Sequence, residues 1–138
     1  MVETYKLYID GNWVESSSGK TFSSINPATE EVLGIFQAGN EQDVNKAVNA
    51  AEKALKGWSG TPAPKRAEIL FNVVKLLKEN KERLAVLMTK EMGKVIKETR
   101  GDVQEAIDVF EYMAGEGRRL FGHTTPSELK NKFCMTIR

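Results

Sequence analysis

Residues 5–14, Tyr5-Lys6-Leu7-Tyr8-Ile9-Asp10-Gly11-Asn12-Trp13-Val14, decide the fold class of this chain. Tyr5, Leu7 and Ile9 alternate toward one face, as half-buried strand residues do. Asp10-Gly11-Asn12 supplies residues that tolerate the positive φ of a tight turn, and Trp13-Val14 starts the return. Phe22 to Ile25, set off by Ser16-Ser17-Ser18-Gly19, reads as another returning strand of a small antiparallel element over 5–27. Pro27 stops pairing at its own position and biases Asn26 toward extended backbone. Val32 to Phe36 reads as one more short strand. A lone hairpin is marginal in water, so these strands need something to cover.

That something is helical. Asn40 is a good N-cap, with Asp43 at capping-box spacing. Val44, Ala47, Val48, Ala51, Ala54 and Leu55 then form an apolar helical stripe, with Gly57 as the expected stop and Trp58 folding back. Pro62 and Pro64 suit the first turn of a second helix, whose expected buried side is Ala67, Leu70, Phe71, Val74 and Leu77. Asn80 is placed to cap a third helix through Leu84, Leu87 and Met88, ended by Gly93. A fourth runs from about Val95 to Arg118, with Val103, Ala106, Ile107, Phe110, Met113 and Ala114 inward. Asn131 to Arg138 returns to strand character, with Phe133, Met135 and Ile137 on one side. The pattern ends there without a partner strand, and an unpaired edge invites pairing with another chain.

The composition narrows the function. At 138 residues the chain has the length of about one domain. Twenty Lys+Arg face 19 Asp+Glu, a net charge of +1, which gives no support for nucleic-acid or anionic-membrane partners. Residues 1–40 carry two basic and five acidic side chains; residues 41–138 carry 18 and 14, interspersed along helices as a solvated surface would be. One Cys and one His exclude a disulfide framework, a cysteine-rich zinc module and a histidine cluster. The N-terminus lacks a basic leader followed by an apolar core, and no run approaches the length of a membrane span. The expectation is a soluble protein of a reducing, cytoplasmic compartment.

Few residues invite chemistry. Gly93-Lys94 lacks the loop and hydroxyl of a phosphate-binding turn, and Gly115-Glu116-Gly117 follows a helix instead of opening one. Cys134 sits in an apolar strand, a poor setting for thiolate, and is expected to be an ordinary strand residue. His123 is expected in a loop. Lys65-Arg66 oppose the dipole at a helix start and call for a carboxylate partner. Glu98, Asp102 and Glu105 fall on one helical strip, where their repulsion needs a cation, an arginine or solvent.

Several stretches, in this order, resemble the N-terminal portion of the aldehyde dehydrogenase superfamily. They are Tyr8-Ile9-Asp10-Gly11-Asn12-Trp13-Val14, Ile25-Asn26-Pro27-Ala28-Thr29 and Gly57-Trp58 followed by Arg66. Further on come Glu91-Met92-Gly93-Lys94, Glu98 and Tyr112-Met113-Ala114-Gly115. The resemblance implies an α/β fold class: an N-terminal fragment of the aldehyde dehydrogenase fold, with early antiparallel strands and a mainly helical outer layer of the cofactor domain. Residues 1–128 would be an incomplete part of the NAD(P)-binding domain, and 129–138 the start of the oligomerisation arm.

The resemblance also implies the parent's chemistry. Family members oxidise an aldehyde to a carboxylic acid with NAD or NADP. A cysteine forms a thiohemiacetal, hydride leaves it for the nicotinamide, and water hydrolyses the resulting thioester. The family's catalytic Cys, general-base Glu, oxyanion Asn and main cofactor contacts lie beyond residue 138. No catalytic or cofactor-binding residue is therefore assigned here, no tight NAD(P) binding is expected, and the chain alone is expected to be inactive. The resemblance does imply a monovalent-cation site at Ser24, Ile25 and Asp102, and homo-oligomer formation by strand pairing. The alternative reading is a noncatalytic, self-associating or partner-binding module derived from the family.

Overall fold

The computed structural model describes residues 2–137. Strand β1 spans Thr4–Tyr5, β2 Leu7–Ile9 and β3 Asn12–Val14. β2 and β3 form the expected antiparallel hairpin, with Leu7 opposite Val14 and Ile9 opposite Asn12. Asp10 and Gly11 have φ of 51° and 76°, the two successive positive values of the turn that matches strand twist. Tyr8 and Trp13 pair across the hairpin with ring centroids 5.0 Å apart.

Tyr5 does not share a face with Leu7 and Ile9. The chain passes into a second sheet at Lys6, ordered β1-β5-β4, where β4 is Thr21–Ile25 and β5 is Val32–Gln37. β4 and β5 are antiparallel, with a register shift between Ser24 and Ile25. β1 runs parallel to β5, so the early strands are not all antiparallel. The cause is visible at Gly34: its bare Cα leaves room for the Tyr5 ring, and a Cβ there would lie 2.8 Å from Tyr5 Cε2. Tyr5 in turn stacks on Phe36 at 5.0 Å. Asn26 closes the β4–β5 turn. Its amide donates to the Glu31 carbonyl, and its side-chain oxygen accepts from the Ala28 amide.

Helix α1, Glu41–Gly60, starts at the expected capping box: Asn40 Oδ1 accepts from the Asp43 amide while Asp43 accepts from the Asn40 amide. It runs through Gly57 and stops three residues later. A glycine permits a helix to end, but Pro62 enforces the end here. Helix α2 spans Ala63–Glu79, α3 Lys81–Met92 and α4 Ile96–Glu116. Asn80 separates α2 and α3 differently from expectation, since its side chain donates back to the Leu76 carbonyl and makes no cap bond to α3. Gly93 ends α3 in the left-handed region, φ 72°, with its amide on the Thr89 carbonyl.

The core lies where α2 and α3 meet α4. Val74, Ala85, Val103 and Ile107 are its buried centre, with Leu77, Leu84, Met88 and Ile96 packed around them. Ala67 and Ala114 extend burial along the α2–α4 contact. There Gly117 comes so close that a Cβ on it would overlap the Ala67 Cβ. Phe71, Phe110 and Met113, expected inward, are exposed. So is the α1 stripe: Val44, Val48 and Leu55 are 58%, 57% and 58% exposed.

After α4, a strand that the sequence did not mark, β6 (Thr124–Pro126), pairs antiparallel with β7, Phe133–Met135. The expected strand over 131–138 is shorter, has this partner within the chain, and includes Arg138, which lies outside the described residues. Proline and threonines hid β6, because they carry no apolar alternation.

Candidate functional site

Helix α4 and the α3–α4 turn set out the acidic strip. Lys94 emerges just after the Gly93 cap and reaches Asp102, Nζ to Oδ2, at 2.6 Å. Both side chains are about one-third exposed. The Asp102 hydrogen bond, reinforced by the charges of Asp102, Glu98 and Glu105, holds the Lys94 ammonium above its usual range even though partial burial opposes this. Lys94 thus offsets the charge of Asp102, a role the sequence reading of Gly93-Lys94 missed. A lysine directly after a helix-ending glycine, with an acid eight residues on in the next helix, is the signal that could have found it.

Ser24 and Ile25 lie at the end of β4, at its register shift, with Ser24 half-buried and Ile25 exposed. Pro27, just beyond them, packs on the α3–α4 turn, since a Cβ on Gly93 would sit 2.9 Å from Pro27 Cγ; the Asp102 carboxylate is engaged by Lys94. Among the described residues, no three His, Cys, Asp or Glu side chains form a group that could hold a metal ion.

A second constellation is Asp43. It is 3% exposed and gathers Ser16 Oγ at 2.8 Å, the Ser17 amide at 3.0 and 3.2 Å and the Asn40 amide at 3.2 Å. Burial pushes its pKa up. The amide of Ser17, the hydroxyl of Ser16, the amide of Asn40 and the hydroxyl of Ser17 more than reverse that, holding it at about 2. The serine cluster that read as a spacer is thus a set of donors tying the β3–β4 loop to α1.

The remaining candidates stay ordinary. Cys134 is exposed on β7 opposite Thr125. His123 is held by its backbone, donating to Thr136 Oγ1 and accepting from the Thr136 amide, each at 2.9 Å. Lys65 finds a carboxylate locally, in Glu68 at 3.0 Å, and Arg66 lies 6.0 Å from the Trp58 ring centroid. The positive-φ glycines Gly11, Gly19 and Gly93 serve a hairpin, a loop and a helix end, so none opens a strand-to-helix turn of the kind that cradles a dinucleotide.

What the geometry defines is an α/β unit: short strands, helix α1 with its apolar face exposed, and a packed group of three helices, α2 to α4. The sequence profile of the aldehyde dehydrogenase family matches residues 13–138, and the chain belongs to that family. It is 46% identical over 126 residues to malonate-semialdehyde dehydrogenase 1 of Geobacillus thermodenitrificans, covering 91% of this chain and 26% of that protein. It is 38% identical over 141 residues to an NADP-dependent glyceraldehyde-3-phosphate dehydrogenase of Triticum aestivum, covering 97% and 28%. An aldehyde dehydrogenase structure from Brucella melitensis superposes with a TM-score of 0.92 at 32% identity, covering 96% of this chain and 28% of that one. The chain thus spans about a quarter of the length of the relatives it matches. No described helix is long and apolar enough to cross a membrane.

Proposed function

We propose that the parent of this chain oxidises an aldehyde to a carboxylic acid with NAD or NADP through a cysteine nucleophile, and that residues 1–138 alone are inactive. The family match over 13–138 carries the reading. The inactivity rests on the resemblance, which puts the family's nucleophile beyond residue 138 and matches Cys134, the one cysteine present, to a short ribbon strand instead. On this reading 1–128 belongs to the NAD(P)-binding domain and 129–138 opens the arm through which copies associate. Purified 1–138 mixed with aldehyde and either nicotinamide cofactor should give no rise in absorbance at the reduced-nicotinamide band. Turnover abolished by Cys134→Ser would overturn the proposal.

The cation reading of Ser24, Ile25 and Asp102 belongs to the same proposal. A monovalent cation there shares the Asp102 carboxylate with Lys94 or displaces it. Thallium NMR should detect tighter binding in Lys94→Met and none in Asp102→Asn. Equal binding in both variants would remove these residues from the site.

One observation favours a second reading, a self-associating module without catalysis. β7 lies at the edge of a two-stranded ribbon, with Phe133 and Met135 exposed. Light scattering should then show assembly that grows with concentration. A monomer over a hundredfold range in concentration would count against it.

A further inference from the structure

A groove of about 580 Å³ opens between the start of α2 and the residues that follow α4. Thr61, Pro62 and Arg66 stand on one side of it, Arg118, Leu120 and Phe121 on the other. A smaller slot of about 160 Å³ shares Ala63, Arg66, Gly117 and Leu120 with the groove and continues between the two helices to Leu70 and Met113. The two form one notch. Its floor is the contact of Ala67 with Gly117, two small residues that let the helix ends come together while Leu70, Met113 and Leu120 stand up around them. The slot is almost wholly apolar, so Arg66 and Glu116 present their carbon stems to it.

The groove, by contrast, is basic. Arg66 is half-buried, its guanidinium 6.0 Å from the Trp58 ring centroid, and Arg118 is exposed. Among the described residues neither pairs with a carboxylate. The acids nearby are engaged, Glu68 by Lys65 at 3.0 Å and Glu116 by Arg119 at 2.7 Å. The carboxylate that Lys65-Arg66 call for is therefore found by the lysine and not by the arginine. Backbone donors add little, because Pro62 and Pro64 have no N–H and the Lys65 and Arg66 amides both donate to the Pro62 carbonyl. The charge of the notch comes from side chains on two different segments.

We propose that this notch binds a small amphiphilic anion, its carboxylate or phosphate head met by Arg66 and Arg118 and its apolar body lodged in the slot beside Ala67, Leu70 and Met113. Two guanidiniums facing one groove repel each other. An anion between them removes that repulsion and accepts their paired N–H donors in the planar geometry that suits both heads. The slot sets the size of the body, since an apolar cavity of about 150 Å³ holds benzene. A ring or a six-carbon chain fits, and a longer chain would run out into solvent. The inference goes beyond the aldehyde-oxidising reading and does not depend on it.

The test titrates nitrogen-15-labelled chain 1–138 with hexanoate at neutral pH and low salt, followed by NMR. Saturating amide shifts are expected at Ala67, Gly117 and Leu120. Hexanol, which lacks the charge, and acetate, which lacks the tail, should each bind at least about tenfold more weakly. Hexyl phosphate should move the same amides, and the ratio of the two affinities identifies the preferred head. Arg118→Gln should weaken hexanoate binding about threefold or more, and Arg66→Gln with Arg118→Gln at least about tenfold. Lys53→Gln with Lys97→Gln removes the same charge at exposed positions elsewhere and should leave the affinity unchanged. Far-UV circular dichroism checks the fold of the double arginine variant, because Arg66 lies beside Trp58; Arg118→Gln, at an exposed residue, decides the matter if that variant unfolds. Three results would each overturn the proposal: no saturable shifts at the notch, hexanol or acetate bound as tightly as hexanoate, or hexanoate affinity unaltered by loss of the arginines.

Discussion

Two glycines, one within α4 and one just past its end, should answer the same substitution with opposite signs. Gly101 sits in the helix interior, and a Cβ built there meets nothing within 4 Å. Replacing it with alanine removes backbone freedom from the unfolded chain and should stabilise by about 0.5–1 kcal/mol. Gly117, the residue after α4, has φ −56°, so alanine suits its backbone equally well. Its Cβ, however, would overlap the Ala67 Cβ and come within 2.9 Å of the Ala63 carbonyl oxygen. Two methyl carbons rest at about 3.5–4.0 Å, so α2 and α4 must part by more than a small adjustment. Overpacking of this kind costs about 1–3 kcal/mol, and after the backbone gain a net loss of about 1–2 kcal/mol remains. Gly101→Ala should therefore raise the urea midpoint and Gly117→Ala lower it, at unchanged slope, by far-UV circular dichroism. Sixteen residues of helix put the sites about 24 Å apart, so the double variant should show the sum. A Gly117→Ala chain as stable as the parent would mean that the α2–α4 approach is looser than described. A destabilised Gly101→Ala would mean that this part of α4 is covered.

Asp43 should titrate near 2 in the folded chain, against an ordinary value of 3.8. Because the folded value is depressed, its stabilisation is complete above about pH 4–5 and is lost as pH falls toward 2. Asp43→Asn should flatten that acid limb, and a carboxyl carbon resonance titrating near 4 would refute the assignment. Thr99, fully buried, shares a 2.8 Å hydrogen bond with Thr89 and donates to the Ile96 carbonyl. Thr99→Val should cost about 1–3 kcal/mol in urea unfolding, and adding Thr89→Val should recover part of it; no recovery would show the pair to be uncoupled. Gly93→Ala imposes a left-handed conformation on a residue with a Cβ, and presses that Cβ on Pro27. A loss of about 2 kcal/mol is expected, with Pro27→Ala relieving only the steric part.

The features legible in the sequence are those decided within a few residues. Asp10-Gly11 set the hairpin, Asn40 and Asp43 the start of α1, and Gly93 the end of α3, each through backbone geometry that needs no distant partner. What escaped was decided by distant partners. Tyr5 joins β5 in parallel because Gly34 makes room some thirty residues away. β6 exists because β7 pairs with it. The Val44–Leu55 row has the correct period for a buried face, yet periodicity identifies an apolar face without saying which atoms cover it. At the site, Asp102 was found from its strip and Lys94 was not. Ser16 and Ser17 looked like filler because their partner, Asp43, is a strand pair away, in the first turn of α1.

The opening turn of α1 has a consequence for what this helix can meet. Helix N-termini attract phosphates because free amides and a partial positive charge converge there. In α1 the Asp43 amide is already held by Asn40, and the Asp43 carboxylate, ionised at any pH above about 2, stands in the same turn with Glu41 beside it. A phosphate approaching this end meets fixed negative charge and finds the Asp43 amide already engaged. Through Asn40 and Asp43 this end of the helix is a joint between the serine loop and α1.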